Sequence, residues 1–416
     1  MFLAVLSASA AQPKGILPGV RRIVFVGDSI TYGGKYIEYF DAFLATRYPE
    51  RRIEIINLGL PSETVSGLSE PGHAAGKFPR PDLHERLDRV LQKTKPDLVI
   101  ACYGMNDGIY HPFGEERFKA YREGMLKLRA KVANAGAKII HITPPVFDPV
   151  PIKDKTLPAG RDEYASPYEG YNEVLDRYAA WLLQQRKQGW QVVDLHEPMN
   201  RHLAMRRAAA PEFLFARDGV HANETGHLLF AVQLLDFLRV PAEVDMAVID
   251  AKRKRVQQGR VEPLKVDAGG IRFTWRTRLP LPMDSKWDAD SVKLERVVER
   301  FNQHRLVVKG ANADTLRLFE GDKLLGSVTR VELEQGIDLL RFTGLSSNQR
   351  AAELMKLVTQ RQVLIKDAWL SDVGHLRPGM RPGVPLAEAT RKAEELAVKV
   401  RQLAEPVGLE LRLSAP

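Results

Sequence analysis

The strongest constraint on the fold is an alternation of short apolar runs with helical patterns between residues 21 and 240. The apolar runs are residues 23–26, 53–56, 98–103, 138–142 and 191–195. Most of them are continuously apolar rather than alternating, as in strands that are covered on both faces. The alternation therefore predicts an α/β domain with a five-stranded parallel sheet, helices on both faces, and ligands bound beyond the carboxyl ends of the strands.

The pattern changes after about residue 245. The sequence predicts a helix over 244–258, then a small antiparallel sheet from short strands over 271–276, 305–309, 315–319, 323–328 and 330–333. Two further helices are predicted over 351–366 and 386–403, separated by a stretch rich in Gly and Pro. The chain thus divides into an N-terminal segment (1–20), the α/β domain (21–243) and a smaller C-terminal α+β region (244–416).

The chain carries 61 basic and 52 acidic residues among its 416, for a net charge of +9. This balance indicates a basic surface, with attraction to an anionic polysaccharide as the alternative interpretation. Nucleic acid is not an expected partner, because no recognised binding module accompanies the charge. The densest basic run, Lys252 to Arg255, is interpreted as one end of a solvated helix. The single cysteine, Cys102, excludes an internal disulfide.

The first twelve residues are a short apolar segment in which Ala8, Ser9 and Ala10 precede Ala11. Small residues at this spacing are typical of a signal-peptide cleavage site, although no positive charge precedes the apolar stretch. We therefore expect export, with a disordered N-terminus as the alternative. No later run approaches the roughly 18 apolar residues of a membrane span, so no integral span is expected.

The tripeptide Gly27-Asp28-Ser29 directly follows the first apolar run. It places the Ser29 hydroxyl at the carboxyl end of a buried strand, where the free N–H groups of a helix start point at whatever the serine attacks. Asp218 and His221 lie three residues apart within one turn. This spacing lets Asp218 accept a hydrogen bond from one imidazole nitrogen while the other faces Ser29. Together the three residues form a candidate nucleophile, base and orienting acid for ester hydrolysis.

Two further segments supply candidate donors for the oxyanion of such a reaction. Gly59 follows the second strand and has no side chain, so its backbone N–H is able to approach a substrate oxygen closely. Asn106 follows the third strand and offers its side-chain amide. No cofactor or metal is expected, because the histidines show no ligand spacing of a known zinc or di-metal site. An α/β-hydrolase is not expected, since the Ser29 segment lacks the second glycine of a nucleophile elbow.

These segments resemble the four sequence blocks of the SGNH (GDSL-type) hydrolases. The blocks are residues 27–31, 57–59, 104–107 and 218–221, and the resemblance covers about residues 21–240. It implies a flavodoxin-like three-layer α/β/α sandwich, with Ser29 as nucleophile, His221 as general base and then acid, and Asp218 as its orienting partner. It also implies an oxyanion hole made by the Ser29 N–H, the Gly59 N–H and the Asn106 side chain. The region beyond 245 is similar to C-terminal extensions of large exported bacterial members, especially planctomycete ones, through residues 369–375 and 377–380.

The substrate is predicted less sharply than the reaction. Residues 69–81 and 148–171 form polar and aromatic insertions between the blocks, and Tyr164, Tyr168 and Tyr171 suit the apolar face and the hydroxyls of a sugar. We therefore expect a small-molecule or polysaccharide ester as substrate, with removal of O-acetyl groups from carbohydrate as the preferred reaction. A lipase, lysophospholipase or arylesterase with the same residues stays open. So does a glycan-binding or interaction protein with weak or no catalysis.

Overall fold

The computed structural model describes residues 17–374 and 383–416. The cleavage-site motif near Ala11 lies outside these residues, and so do His375 and the segment from Arg377 to Met380. In the described residues no helix combines the length and the apolarity that a bilayer crossing demands.

A sheet of five parallel strands forms the centre of the N-terminal part, in the order β2-β1-β3-β4-β5. Its strands are β1 (Arg22–Gly27), β2 (Glu54–Gly59), β3 (Leu98–Cys102), β4 (Lys138–Ile142) and β5 (Gln191–Val193). Val24 and Phe25 on opposite faces of β1 are both fully buried, as the continuous apolar runs predict. This flavodoxin-like arrangement confirms the predicted fold class.

Helices cover both faces of this sheet. They are α1 (Ser29–Gly33), α2 (Lys35–Arg47), α3 (Leu83–Thr94), α4 (Glu115–Asn134), α5 (Tyr171–Gln184), α6 (His196–Ala209) and α7 (Glu224–Phe237). Right-handed crossovers place α2 on one face and α3, α4 and α5 on the other. The packing agrees, because α2 contacts α7 and α3 contacts α4. The first three sequence blocks therefore lie at the carboxyl ends of β1, β2 and β3, and the fourth lies in the loop between α6 and α7.

The C-terminal region contains two sheets rather than one. The first has the order β13-β10-β6-β7 and the second the order β12-β11-β14-β9-β8. Their strands are β6 (Glu243–Asp250), β7 (Arg255–Gln258), β8 (Val261–Asp267), β9 (Gly270–Thr277), β10 (Gln303–Lys309), β11 (Thr315–Glu320), β12 (Lys323–Thr329), β13 (Ile337–Asp338) and β14 (Val407–Ser414). The second sheet is antiparallel, whereas β6 and β10 of the first are parallel. Apolar residues of both sheets, including Ile249, Trp275 and Leu409, form a second core.

Two sequence predictions in this region are wrong. Residues 244–258 form the hairpin of β6 and β7 instead of a helix, because β-branched Val244, Val248 and Ile249 pack in a strand that pairs with β10. The basic run that begins at Lys252 consequently lies at the hairpin turn and not at a helix end.

Residues 330–333 belong to helix α10 (Arg330–Gln335) and not to a strand. The Thr329 side chain accepts from the Glu332 N–H and Glu332 reaches back to the Thr329 N–H, which makes a capping box. The remaining short helices, α8 (Ala289–Leu294) and α9 (Val297–Phe301), lie in the segment between β9 and β10.

The two long C-terminal helices pack on the α/β domain rather than on the small sheets alone. They are α11 (Ser346–Val373), which extends beyond the predicted 351–366 at both ends, and α12 (Leu386–Ala404), which is close to its predicted bounds. Helix α11 contacts α2, α3 and β2, and its buried Leu354, Val358 and Ile365 join the core of the α/β domain. The C-terminal helices are thus part of that core. The domain boundary predicted between residues 243 and 244 lies at the start of β6 and remains a prediction.

Candidate active site

Ser29 is the first residue of α1, directly after the turn that ends β1. Asp28 caps the helix, because its Oδ1 accepts a hydrogen bond from the Ile30 N–H at 2.9 Å. Gly27 has to be a glycine, since a Cβ there would lie 2.2 Å from the Thr31 Oγ1. Ser29 itself is half-buried. The turn therefore presents the hydroxyl at the carboxyl edge of the sheet.

The loop before α7 brings an imidazole to that hydroxyl. His221 Nε2 lies 2.8 Å from the Ser29 Oγ, and His221 Nδ1 lies 2.6 Å from the Asp218 Oδ2. The other oxygen of Asp218 accepts from the N–H groups of Val220 (3.0 Å) and His221 (2.8 Å). All three sequence-predicted residues meet in one hydrogen-bonded chain, and the carboxylate is fixed by its own loop.

These contacts favour the ionised form of the Asp218 carboxyl group. Burial raises the pKa of its carboxyl, but the hydrogen bonds from the His221 side chain and from two backbone N–H groups outweigh burial and leave the pKa below its ordinary value. An ionised carboxylate at this position holds the Nδ1 proton of the imidazole. His221 Nε2 is then the acceptor that faces Ser29.

The two predicted oxyanion donors have different surroundings. The Gly59 N–H is not free, because it donates to the Asn57 Oδ1 at 2.9 Å. A Cβ on Gly59 would lie 2.2 Å from the Tyr32 N, so this glycine allows β2 to pack directly against α1. The Asn106 amide donates one hydrogen to the Glu63 carbonyl at 3.1 Å. Its second hydrogen remains for another acceptor.

Ser62 is a residue that the sequence analysis did not single out. Its φ of +69° is in the left-handed region that favours glycine. It lies three residues beyond the end of β2, and Glu63, which follows it, holds Asn106. Among the described residues none accepts a hydrogen bond from the Ser62 N–H. Because a serine in this conformation has no sequence signature, only the backbone geometry reveals the position.

Three buried carboxyl groups lie beneath the site. Burial raises the pKa of Asp28 to about 7, and the nearby Asp107 and Glu63 add to the effect. Burial likewise raises the pKa of Asp107 to about 6, although its Oδ1 accepts from the Val65 and Ser66 N–H groups at 2.8 Å each. Glu63 forms a bidentate pair with the buried Arg86 at 2.6 and 2.7 Å. The Asp107 contacts join the loop of Asn106 to the segment that follows Ser62, and Arg86 fixes Glu63 in that segment.

Polar side chains surround the proposed catalytic residues. The Tyr110 hydroxyl donates to the Asn106 Oδ1 at 3.1 Å, and the Arg80 guanidinium lies over the Tyr110 ring at 5.4 Å. A depression of about 530 Å³ beside His221 is lined by Leu214, Arg217, Asp218, Asn223, Glu224 and Lys286. Tyr171 of the predicted sugar-binding insertion is instead buried and donates to the Met105 carbonyl at 2.8 Å. It therefore supports the loop that carries Asn106.

The described residues contain no group of three or more His, Cys, Asp or Glu side chains placed to hold a metal ion. The chemistry that the arrangement offers is a serine hydroxyl activated by an imidazole.

Comparison with known proteins identifies the family of the N-terminal part. Residues 25–229 match the profile of the GDSL-like lipase/acylhydrolase family. This part of the chain belongs to that family. A GDSL-like domain of this kind is a carboxylic ester hydrolase. A search of curated proteins finds no match to the chain.

Several solved structures are similar to this chain. A gut microbial diltiazem-metabolizing enzyme is 19% identical with a TM-score of 0.77, and the match covers 95% of this chain and 98% of that one. The whole chain, with its C-terminal sheets and helices, therefore shares a fold with that enzyme. An acetylxylan esterase from Geobacillus stearothermophilus is 23% identical over 53% of this chain and 95% of its own, with a TM-score of 0.40.

Proposed function

We propose that this protein hydrolyses carboxylic esters through an acyl-enzyme on Ser29, with His221 as general base and acid and Asp218 as its orienting partner. The observation that carries the proposal is the distance of 2.8 Å between His221 Nε2 and Ser29 Oγ, with Asp218 at 2.6 Å on the other ring nitrogen. Such a chain activates a hydroxyl that is a weak nucleophile on its own.

The cycle has two matched halves. His221 Nε2 takes the Ser29 proton as the Oγ attacks the ester carbonyl, and the tetrahedral oxyanion forms. The carbon–oxygen bond to the alcohol then breaks, and the alcohol leaves with the proton from His221. Water enters, gives a proton to His221 and attacks the acyl-enzyme. Release of the acid returns that proton to the Ser29 Oγ.

The oxyanion needs donors that are unoccupied before the substrate arrives. We propose the Ser29 N–H, the second hydrogen of the Asn106 amide and the Ser62 N–H. The Ser62 N–H takes the place expected of Gly59, whose N–H donates to Asn57 at 2.9 Å. The left-handed backbone of Ser62 supports this role, because strained residues persist where function uses them.

We further propose that the substrate is an O-acetyl ester of a carbohydrate. The depression beside His221 is lined mainly by polar and charged residues, among them Arg217 and Lys286, and the Tyr110 hydroxyl lies against Asn106. Hydroxyl-rich alcohol groups suit such a lining better than a lipid does. Export also remains a proposal, based on the motif near Ala11, and fractionation of cells that express the full chain tests it.

The decisive experiment labels and assays the wild type, Ser29→Ala and the exposed control Ser285→Ala. A fluorophosphonate probe is expected to label the wild type and the control but not Ser29→Ala. Turnover of nitrophenyl acetate is expected to fall by at least about 10⁴-fold in Ser29→Ala alone. Retained turnover would remove the proposed nucleophile, and absent labelling of the wild type would favour a binding protein.

A chain-length series tests the substrate class separately. We expect nitrophenyl acetate to be hydrolysed much faster than the octanoate ester, and an acetylated oligosaccharide to release acetate. The reverse preference for chain length would favour the lipase alternative while leaving the proposed residues untouched.

A further inference from the structure

A second cavity lies far from Ser29, between α12 and the α/β domain. It has a volume of about 430 Å³ and is lined by residues of α2, α11, α12 and the amino-terminal ends of β1 and β2. Ser29 follows the carboxyl end of β1. A six-residue strand is about 20 Å long, so the cavity and the active site lie at opposite edges of the sheet.

The inner wall of this cavity is apolar. Its lining includes Leu44 and Ala45 of α2, Ile365 of α11, and Ala393, Ala397 and Val400 of α12. The short alanine side chains leave the space between α12 and the domain unfilled. A volume of this size is within the range of roughly 300–1,000 Å³ that is usual for small-molecule sites.

Charged groups in the lining are mostly arginines. Three of them have carboxylate partners within the same lining: Arg22 with Glu54 at 2.6 Å, Arg401 with Glu394 at 2.8 Å, and Arg361 with Asp41. Each of the three carboxylates in the lining is therefore paired with an arginine.

Three further arginines, Arg21, Arg51 and Arg52, also line the cavity. Arg51 donates to the Leu17 and Val20 carbonyls at 2.8 and 3.1 Å. Among the described residues, none of these three guanidiniums has a carboxylate in salt-bridge distance. The cavity therefore combines an apolar wall with an excess of positive charge.

We propose that this cavity binds a small amphipathic anion, with its apolar body against α12 and its carboxylate or phosphate at Arg21, Arg51 and Arg52. Guanidinium groups bind both kinds of oxyanion through paired N–H donors. The site is independent of ester hydrolysis, since no residue of its lining belongs to the proposed catalytic set.

The test uses full-length Ser29→Ala protein, so that no turnover disturbs the titration. Calorimetry measures octanoate, octyl phosphate, octanol and octylamine, each below its aggregation limit. We expect at least one of the two anions to bind at least tenfold more tightly than octanol or octylamine. Comparison of octanoate with octyl phosphate shows whether the ligand is a carboxylate or a phosphate. Equal affinity for all four compounds, or no binding of either anion, would overturn the proposal.

Variants locate the binding. Ala397→Phe fills the cavity and is expected to abolish anion binding, whereas the double variant Arg21→Ala/Arg52→Ala is expected to weaken it at least tenfold. Arg255→Ala, an exposed arginine of β7, is the matched control. Because Arg21 and Arg52 are exposed, the double variant keeps the test valid if Ala397→Phe fails to fold. Unchanged affinity in the double variant, or loss of binding after fluorophosphonate labelling of wild-type Ser29, would place the anion elsewhere.

Discussion

Asn57 shows how single side chains align this site. Its Nδ2 donates to the Thr31 carbonyl of α1 at 2.8 Å, while its Oδ1 accepts from the Gly59 N–H at 2.9 Å. One buried amide thus ties the end of β2 to the helix that carries Ser29. The sequence predicted that these segments meet. The occupation of the Gly59 N–H depends on side-chain orientation, which no spacing reports.

Asn106→Ala tests the proposed oxyanion site. We expect turnover of nitrophenyl acetate to fall by about 10²–10³-fold, because one donor to the oxyanion is lost. Binding of substrate should change less than turnover. Steady-state kinetics beside Asn134→Ala, an exposed control, measure both quantities. A decrease of less than threefold in turnover would contradict the assignment of Asn106.

The role of Ser62 is tested in the same assay. Ser62→Gly keeps the N–H and relieves a left-handed backbone, so activity should be retained. Ser62→Pro removes the N–H and also forces the backbone away from its φ of +69°, so turnover should fall at least as strongly as in Asn106→Ala. Thermal melts of both variants separate loss of a donor from loss of the fold. Low activity in the glycine variant would show that the hydroxyl, and not the N–H, matters.

Asp28 gives a prediction about pH. Its pKa is raised to about 7 in the folded state, whereas the unfolded value is near 3.8. Between about pH 4 and pH 7 the folded protein binds more protons, so the free energy of unfolding falls as pH rises. Asn keeps the helix cap but does not titrate. Asp28→Asn should therefore reduce the loss of stability across this window by up to about 4 kcal/mol.

Urea denaturation from pH 4 to pH 8 measures this difference. Asp154→Asn, at an exposed position, serves as the control and should reproduce the wild-type pH dependence. If Asp28→Asn followed the wild type across the window, Asp28 would have an ordinary pKa in the folded state.

Among the secondary-structure elements, helix α11 supplies hydrogen-bond donors and positive charge to the acidic side chains that are buried on α2. Arg361 pairs with Asp41, which is also bound by the Gln362 amide at 2.6 Å. Thr359 donates to Glu38 at 2.5 Å, and Lys366 lies over the Tyr32 ring at 3.9 Å. The helix that carries Ser29 and the helix after it are therefore held in place from the C-terminal region.

Removing one of these partners on α11 should lower the free energy of unfolding. Arg361→Ala leaves the buried Asp41 carboxylate with less compensation, and we expect the free energy of unfolding to fall by about 2–4 kcal/mol. Lys356→Ala, which breaks an exposed pair with Glu353 on the same helix, should cost less than about 1 kcal/mol. Chemical denaturation of both variants measures the difference, and equal effects would refute the role of α11.

Strands and helices were predictable where burial leaves a clear apolar pattern in the sequence. The strands of the parallel sheet are apolar on both faces, and α12 repeats alanine and valine at helical spacing, so the sequence marks them directly. The strand β6 is half-exposed and lacks such a pattern. Its partner β10 lies more than fifty residues further along the chain. The packing of α11 on β2 is likewise a long-range contact. No local pattern reveals either.

In the molecule as a whole, the C-terminal region is joined to the hydrolase domain by shared apolar packing. Its helices contribute Leu354, Val358, Ile365 and Val400 to the hydrolase core. Burial of apolar surface at roughly 25 cal/mol per Å² makes such residues a large part of the stability of a domain. Stabilisation is therefore built into the packing, whatever else the region does.

A chain that ends at residue 345 tests this dependence. It lacks α11, α12 and β14, and we expect it to be insoluble or to melt well below the full-length protein, with loss of activity towards nitrophenyl acetate. Solubility, melting temperature and turnover are compared with those of the full chain. A soluble truncation with unchanged turnover would show that the hydrolase domain folds without α11, α12 and β14.

The strand β14 lies in the middle of its sheet, between β9 and β11. During synthesis those two neighbours leave the ribosome before α11 and α12 have been made, and the strand that joins them follows both helices. The sheet therefore stays open until that later segment arrives. Proteolytic or genetic loss of residues 407–414 would leave two unpaired strand edges, available to any other copy nearby.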